Sequence, residues 1–339
     1  MIENDCLATF VLMTDTHSAE PIDAVITWVD GSQPAQQEKL KFYIEKEKAG
    51  QSPNVISSRF DASGEIKYCL VSILNFAPFI RHIYIVTDGQ KPDIEETVAK
   101  YFPERLKDIK YVDHQEIFKG YEQYLPVFNS RSIESMLWRI PGISERFICF
   151  NDDFFIVKPL SKSDWVQNGK LVLRGKWSPV PIFHLLWHRV ITSAKKRRAS
   201  FHLGQWNAAW QAGYRFRYFV FEHTPYSVSK SVIEEFYAQN PDVLERNVSY
   251  RFRHPDQFNP CSLSYHLCLR QNKAITRRNS DLIYLQPHGR ANDYIAKKIK
   301  ACENDSSIKF MCVQDLSIST EEQRNQVFGW LNGILGLND

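Results

Sequence analysis

Two adjacent carboxylates, Asp152 and Asp153, interrupt the apolar segment FICFNDDFFIV. Such a run predicts a buried strand, and a buried carboxylate is costly unless it is paired or bound to a metal. Mg²⁺ and Mn²⁺ prefer oxygen ligands, and one or two carboxylates suffice when substrate phosphates supply the rest. The pair therefore predicts a divalent cation held against a diphosphate. Exposed aspartates in a turn at the end of a strand are the alternative interpretation.

Two histidines lie beside prolines in polar breaks, His223 in EHTPY and His254 in FRHPDQFNP, where Arg253 precedes His254. Arginine binds phosphate oxygens with two parallel hydrogen bonds and keeps its charge. Histidine can take a proton from an attacking hydroxyl near neutral pH. A single histidine is more often structural, but two of them near arginines favour a site that handles phosphate.

Other chemistries lack their motifs. The chain has no GxSxG, GxxxxGK[ST] or GxGxxG sequence, which argues against a serine hydrolase, a P-loop kinase and a dinucleotide-binding protein. Seven scattered cysteines without a CxxC pair argue against a zinc site or a disulfide framework and favour a reducing cytosol. The net charge of +3 argues against a nucleic-acid partner, and the KKRR run at 195–198 is typical of a solvated loop.

Strands and helices alternate along the first half of the chain, which predicts an α/β fold with much parallel pairing. We expect strands at 21–31, 82–89, 109–114 and 147–157, and helices at 36–49, 65–76, 91–101 and 129–140. In open α/β sheets, ligands bind at the carboxyl ends of the strands. Those ends carry Asp30-Gly31, Asp88-Gly89, Asp113-His114 and Asn151-Asp152-Asp153. Four polar ends on one edge would suit a cation or another polar ligand.

The predicted organisation is a lead-in at 1–19, a catalytic domain formed by 20–160 and 215–339, and an insertion or lid at 161–214. The insertion holds five of the eight tryptophans and the KKRR run. With Trp206 and Trp210 it could bind an anionic acceptor chain, and a plain surface loop is the alternative. The amino terminus has acidic residues where a signal peptide would be basic, and no stretch reaches the ~20 apolar residues of a membrane span.

Several stretches in this order resemble one family: IDAVITWVDGS, SRFDASGEIKYCLVSILNFAPFIRHIYIVTDGQKP, LPVFNSRSIESMLWRIPGISERFICFNDDFFI, EHTPY, FRHPDQFNP and KFMCVQD. The set resembles the Stealth family of hexose-1-phosphate transferases. That family includes bacterial capsule phosphotransferases and the α/β subunit of the lysosomal-enzyme GlcNAc-1-phosphotransferase. The resemblance covers about residues 21–160 and 220–317.

The resemblance implies a GT-A-like (Rossmann-type) mixed sheet and transfer of a hexose- or N-acetylhexosamine-1-phosphate from a UDP-sugar to a polysaccharide hydroxyl, with release of UMP. It implies catalytic roles for Asp30, Asp152, His223, Arg253 and His254, and Mg²⁺ or Mn²⁺ at Asp152, Asp153 and Asp315. It places substrate contacts at Trp28, Gly31, Ser58, Arg59, Thr87, Gly89, Gln90, Asn129, Arg131 and Asn151. His223 is favoured as the general base, and His254 and Asp30 remain alternatives.

The same fold could instead serve a metal-dependent glycosyltransferase, which would attack the anomeric carbon and release UDP. A third interpretation is a polysaccharide-binding protein without catalysis, which would not need the carboxylates and the histidine-arginine set. The first interpretation implies a bacterial cytoplasmic enzyme, peripheral at the inner face of the cell membrane and associated with a membrane capsule-assembly complex. Its partners would be a UDP-sugar and an oligosaccharide or polysaccharide acceptor.

Overall fold

A computed structural model describes residues 20–47, 64–180, 199–278 and 280–337. Its strands are β1 (Ile22–Thr27), β2 (Ile80–Thr87), β3 (Ile109–Asp113), β4 (Arg146–Asn151), β5 (Phe154–Ile156), β6 (Val166–Gln167), β7 (Lys170–Arg174), β8 (Lys176–Pro179), β9 (Arg217–Val220), β10 (Tyr226–Ser229), β11 (Ala274–Arg277), β12 (Leu282–Leu285) and β13 (Phe310–Val313). They form a central sheet and three smaller ones.

The helices flank these sheets. They are α1 (Pro34–Glu47), α2 (Glu65–Phe76), α3 (Glu95–Tyr101), α4 (His114–Ile117), α5 (Ser130–Glu134), α6 (Phe201–Gln211), α7 (Lys230–Gln239), α8 (Pro241–Val248), α9 (Pro260–Arg270), α10 (Asn292–Asn304) and α11 (Glu321–Leu335). Short 3₁₀ helices span Pro103–Asp108, Glu122–Tyr124, Leu137–Arg139 and Lys162–Asp164. Among the described helices, none is long and apolar enough to cross a bilayer.

The central sheet confirms the predicted α/β class. Its strand order is β10-β4-β1-β2-β3; the last four strands are parallel, and β10 runs antiparallel to β4. The register places Thr27 opposite Asn151 and Val86, and Thr87 opposite Asp113. The carboxyl ends of all four parallel strands therefore lie on one edge, as the sequence predicted.

Helix α2 shows how the sequence determines the packing around this sheet. Its predicted bounds, Glu65–Phe76, match the structure, because apolar residues recur at helical spacing and Pro78 follows. The helix is buried along nearly its whole length, and Tyr68 stacks on Phe328 of α11 with ring centroids 4.7 Å apart. Helix α11 begins at a capping box in which the side chains of Thr320 and Gln323 each accept from the other's backbone amide.

Two predicted elements differ from the structure. The apolar segment at 147–157 is two strands: β4 belongs to the central sheet, whereas β5 pairs antiparallel with β13 in a second sheet. Both strands are buried on both faces, so the apolar pattern does not reveal the change of sheet. The predicted helix at 129–140 is α5 followed by the 3₁₀ helix Leu137–Arg139.

Residues 161–180 pack into the rest of the molecule. Strand β7 pairs with β11, and β8 pairs with β9. Arg174 is buried against the rings of Trp165 and Phe310, with Cζ 4.8 and 4.7 Å from the two ring centroids, and its Nε donates to Asp281 at 2.7 Å. This part of the predicted insertion thus shares a core with residues far along the chain.

Candidate active site at the strand ends

The loops after β1 and β2 are joined by Gln90. Its Oε1 accepts from the backbone N–H of Asp30 at 2.8 Å, and its Nε2 donates to the carbonyl of Asp30 at 2.9 Å and to Gln33 at 3.0 Å. The Asp30 carboxylate accepts from the backbone and the hydroxyl of Ser32, which closes a short turn. Gln90 therefore fixes the position of the Asp30 backbone at the sheet edge.

The sheet edge beneath these loops carries polar atoms without partners. Trp28 and Thr87 are buried, and Nε1 of the indole and Oγ1 of the hydroxyl have no hydrogen-bond partner in the structure. Gly31 is buried, and Gly89 adopts a φ of 68°, which favours glycine. The predicted substrate contacts at the ends of β1 and β2 therefore lie together on this edge.

Asp152 and Asp153 are half-buried in the turn that leads from β4 to β5, directly after Asn151. Burial raises the pKa of Asp152 to about 6, against hydrogen bonds from the backbone amides of both aspartates. Burial and the neighbouring Asp152 carboxylate raise the pKa of Asp153 to about 8. Among the described residues, no cation forms a salt bridge with either carboxylate.

Strand β13 faces this pair. The backbone N–H of Val313 donates to the carbonyl of Asp153 at 3.1 Å, and Sγ of Cys312 contacts Oδ2 of Asp153 at 3.7 Å. Asp315 follows with a φ of 60° and accepts from Gln286 Nε2 at 2.6 Å. Its charge contributes to the raised pKa of Asp153, so the two carboxylates are within electrostatic reach.

His223 is held by residues from three other elements. Its ring stacks on Phe201 at 4.4 Å, lies 5.8 Å from the ring of Tyr284, and has Nδ1 3.4 Å from Nε2 of Gln314. Burial, followed by the charges of Arg253 and His202, lowers its pKa to about 4. His223 is therefore neutral at pH 7. Gln314 follows β13 directly, so the end of this strand contacts both Asp153 and His223.

The charge of Arg253 acts both on His223 and on Glu134 of α5. Its Nη2 donates to the hydroxyl of Ser130 at 2.9 Å. Burial raises the pKa of Glu134 to about 7, while the charges of Arg253 and Arg131 act in the opposite direction. Oε2 of Glu134 is buried without a hydrogen bond in the structure. A carboxyl group thus lies beside two arginines in the wall of the site.

Asn129 and Arg131 support this wall. Asn129 caps α5 by accepting from the backbone N–H of Arg131, and its Nδ2 donates to Gln257 at 2.6 Å. Arg131 is buried, and its Nη2 donates to the carbonyl of Ser200 at 2.7 Å. A Cβ on Gly204 would lie 2.8 Å from that guanidinium, so a larger residue there would have to displace the Arg131 side chain. These contacts hold both predicted residues inside the protein.

The contacts of His254 differ from those of His223. The ring of His254 stacks on Tyr250 at 4.3 Å, and its Nδ1 accepts from the backbone N–H of Asp256 at 3.2 Å. Those contacts stabilise the 250–257 loop. They favour a supporting role for His254. Within FRHPDQFNP, it is the charge of Arg253 that lowers the pKa of His223.

Some predicted residues cannot be placed. Ser58, Arg59 and the KKRR run at 195–198 lie outside the described residues. Of the tryptophans expected to bind an acceptor, Trp206 packs against Tyr218, whereas Trp210 is 54% exposed with the Arg215 guanidinium 3.9 Å from its ring centre.

Sequence reasoning missed four residues of this site. Gln257 and Gln314 lie within the FRHPDQFNP and KFMCVQD stretches and Glu134 within LPVFNSRSIESMLWRIPGISERFICFNDDFFI, but no role was assigned to them, and Tyr284 lies outside all of these stretches. Their neighbours in space are far away in sequence, as with Gln314 and His223, which are 91 positions apart. Within KFMCVQD, a role was assigned only to Asp315, which lies just after β13.

The donor set fits a hard cation when a substrate supplies further ligands. Oδ1 of Asp153 is buried and makes no hydrogen bond in the structure, so its lone pairs are available. No group of three or more His, Cys, Asp or Glu side chains that could hold a metal occurs among the described residues. Mg²⁺ is commonly held by one or two carboxylates together with substrate phosphates, and Asp152 and Asp153 match that set.

Two conserved regions described for Stealth proteins match this chain. Conserved region 1 matches residues 20–48, which include β1 and Asp30, and conserved region 2 matches residues 59–173, which include Asn129, Asp152 and Asp153. The chain contains Stealth conserved regions 1 and 2. The predicted resemblance to the Stealth family is confirmed.

Curated relatives agree with this assignment. A capsular polysaccharide phosphotransferase of Actinobacillus pleuropneumoniae is 39% identical over 162 residues, or 47% of this chain and 42% of that protein. An exopolysaccharide phosphotransferase of Streptomyces coelicolor is 33% identical over 72% of this chain and 42% of its own length. A capsular polysaccharide phosphotransferase of Haemophilus influenzae is 27% identical over 88% of this chain and 79% of its own length. The chain thus spans about two fifths of the first two relatives.

Two glycosyltransferases are among the solved structures that resemble this fold. The galactosyltransferase LgtC, bound to donor and acceptor sugar analogues, matches 93% of this chain and 95% of its own with a TM-score of 0.42 and 10% identity. Mouse xyloside xylosyltransferase 1 matches 86% of this chain and 97% of its own with a TM-score of 0.37 and 12% identity. Structural similarities with TM-scores this low do not assign a function to this chain.

Proposed function

We propose that this Stealth protein transfers a hexose- or N-acetylhexosamine-1-phosphate from a UDP-sugar to a hydroxyl of a capsular or cell-surface polysaccharide. The acceptor oxygen attacks the sugar-proximal phosphorus and forms a new P–O bond. The bond from that phosphorus to the bridging oxygen breaks, and UMP leaves with its electron pair. The hydroxyl proton of the acceptor is released, so the products are UMP, a phosphodiester and one proton.

One observation carries the proposal: the end of β13 contacts both halves of the site. Cys312 contacts the Asp153 carboxylate, and Gln314 contacts His223, beside Arg253. Acidic oxygens that suit a cation therefore lie near a group that suits phosphate. A diphosphate needs both, because its charge must be balanced while the leaving group departs.

Asp152 and Asp153, with Asp315 as a third candidate, would hold Mg²⁺ or Mn²⁺, which would supply positive charge to the diphosphate. Arg253 binds and orients the phosphoryl group near His223. The Ser130 hydroxyl accepts from Nη2 of Arg253 and positions it, and Gln90 holds the Asp30 loop over the sheet edge.

Polysaccharide acceptors are supported by the names of the curated relatives, which are capsular and exopolysaccharide phosphotransferases. On α6, the exposed Trp210 offers a ring face of the kind that sugars stack on. We extend the proposal to a cytoplasmic enzyme that works peripherally at the membrane, in association with a capsule-assembly complex.

The test is nucleotide release from UDP-sugars by purified protein with Mg²⁺ and an oligosaccharide acceptor. Asp152→Ala should reduce turnover by about two orders of magnitude or more, as loss of a main electrostatic group does. Asp293→Ala is the matched control, since Asp293 is an exposed carboxylate on α10 paired with Lys297. A folded Asp152→Ala protein with turnover near that of the control would end the proposal.

A further inference from the structure

Three side chains form a hydrogen-bonded row that ends at His223. The hydroxyl of Tyr284 on β12 lies 2.6 Å from Oε1 of Gln314, and Nε2 of the same amide lies 3.4 Å from Nδ1 of His223. The row approaches the imidazole from the sheet that also carries the Asp153 contact. The donor-to-acceptor direction of the hydrogen bonds along this row decides which ring nitrogen of His223 carries a proton.

The distance to Tyr284 fixes the orientation of the amide. A separation of 2.6 Å suits an O–H···O bond, whereas N–H···O bonds in proteins are longer, about 2.7 to 3.2 Å. Oε1 of Gln314 therefore accepts the Tyr284 hydroxyl proton. The amide nitrogen must then face His223. The backbone N–H of Gln314 also donates to the carbonyl of Leu285 at 2.9 Å, which anchors the residue.

The ring of His223 cannot turn freely to avoid this donor. Phe201 stacks on it at 4.4 Å with the planes 21° apart, and Tyr284 lies 5.8 Å away at 35°. Two aromatic neighbours hold the imidazole in one plane. A half-turn of the ring would move Nδ1 away from Gln314 and lose the hydrogen bond.

The amide of Gln314 is an N–H donor at that position, so Nδ1 must offer its lone pair. A neutral imidazole carries a single proton, which then lies on Nε2. Burial and the charges of Arg253 and His202 lower the pKa of this ring to about 4, so the neutral form prevails at pH 7. An imidazolium beside Arg253 would add a second positive charge to a half-buried site.

We propose that His223 works as a neutral hydrogen-bond donor, with Nε2–H directed at a phosphate oxygen of the sugar-nucleotide, and not as the general base. The identity of the ligand rests on the proposed function, whereas the tautomer rests on the row of Tyr284 and Gln314 alone. A neutral donor stabilises the negative charge that develops on the phosphoryl oxygens, and it is not repelled by the positive charge of Arg253. Gln314 and Tyr284 are then positioning residues.

The tautomer is measured directly by NMR of the resting protein labelled with ¹⁵N-histidine, with His223→Gln used to assign the signal. At pH 7 the wild type should show a proton on Nε2 and none on Nδ1. Gln314→Glu replaces the donor with an acceptor and should move the proton onto Nδ1. A wild-type proton on Nδ1 overturns the proposal, whatever the activity.

Turnover provides a second, independent readout. The amide of His223→Gln can donate from about the position of Nε2 but cannot accept a proton as a base, and His223→Leu can do neither. The donor role predicts that His223→Gln keeps at least about tenfold more kcat than His223→Leu, or about 1.4 kcal/mol of transition-state stabilisation. Equal loss in both variants contradicts the donor role.

The two proposals fail separately. Absence of transfer from any UDP-sugar would end the proposed function but leave the tautomer measurable in the resting protein. Normal phosphotransfer together with an Nδ1–H tautomer would retain the function and overturn the donor role.

Discussion

Cys312 and Asp153 contact each other across the pair formed by β13 and β5, with Sγ 3.7 Å from Oδ2. A thiol is a weak donor, and Oδ1 of the same carboxylate has no hydrogen bond in the structure. The surroundings therefore satisfy this carboxylate poorly without a cation. Asp153 lies in the turn between β4 and β5, which belong to different sheets.

Asp153→Asn should be at least as stable as the wild type without metal, because it removes a poorly satisfied buried carboxylate. Mg²⁺ with UDP should raise the wild-type Tm, since a ligand at 100 times its Kd adds about 2.7 kcal/mol, and the variant should lose that increase. Thermal unfolding with and without the ligands measures both effects. Asp293→Asn, on the surface of α10, is the control; an equal Mg²⁺ effect in Asp153→Asn would refute the ligand assignment.

The acid stability of the protein should depend on His266. Its Nε2 accepts from the backbone N–H of Phe219 at 2.8 Å, and Nδ1 lies 2.7 Å from the carbonyl of Ser262, so the folded state needs the neutral ring. Burial lowers its pKa to about 4, against about 6.5 in the unfolded chain. The contribution is complete above pH 6.5 and is lost as the pH falls toward 4, about 2 kcal/mol of it by pH 5.

Urea unfolding at pH 7 and pH 5 measures that loss. His266→Gln keeps an acceptor for Phe219 and cannot titrate, so its free energy of unfolding should fall by about 2 kcal/mol less than that of the wild type over this range. The same fall in both proteins would show that His266 does not contribute.

Arg174 should be a main stabilising contact between β7 and the carboxyl-terminal part of the chain. Arg174→Met keeps much of the packing between Trp165 and Phe310 but leaves Asp281 buried without its cation. We expect a loss of about 3 to 5 kcal/mol in the free energy of unfolding.

Chemical denaturation measures that loss, with the exposed Lys176→Met on β8 as the matched control. Adding Asp281→Asn to Arg174→Met should recover part of the stability, because the unpaired charge is then gone. A loss under 1 kcal/mol in Arg174→Met would contradict this assignment.

Gln90 should affect binding of the donor more than the chemical step. Gln90→Ala removes the three hydrogen bonds that hold Asp30 and Gln33, so the loop after β1 is no longer fixed over the sheet edge. Each net hydrogen bond is worth about 1 kcal/mol, so loss of the three predicts a rise of up to about a hundredfold in the KM for the UDP-sugar. Steady-state kinetics test this; an unchanged KM, equal to that of Gln239→Ala on remote α7, would rule it out.

The sequence predicted those features that depend on local pattern. Helix α2 follows from apolar spacing and Pro78, and the edge position of Asp30 and Asp152 follows from parallel strands that end in polar residues. The split between β4 and β5 could not be predicted, because a strand buried on both faces looks the same in either sheet.

The site was predictable only in part, for a related reason. Asp152 and Asp153 stand out as charges within an apolar run. The KFMCVQD stretch that contains Gln314 does not reveal its partner, and Tyr284 lies outside the family stretches. Their effect on His223 arises from contacts between distant parts of the chain. Tertiary contacts of that kind leave no periodic signal in a single sequence.

The central claim is that the bond broken in the sugar-nucleotide lies between its two phosphorus atoms. ³¹P NMR of a reaction with UDP-sugar, Mg²⁺ and oligosaccharide acceptor follows that bond directly. The account predicts UMP in the amount of acceptor consumed, together with a new phosphodiester signal. UDP in that amount, without a phosphodiester, would show that the enzyme attacks the anomeric carbon and would contradict the account.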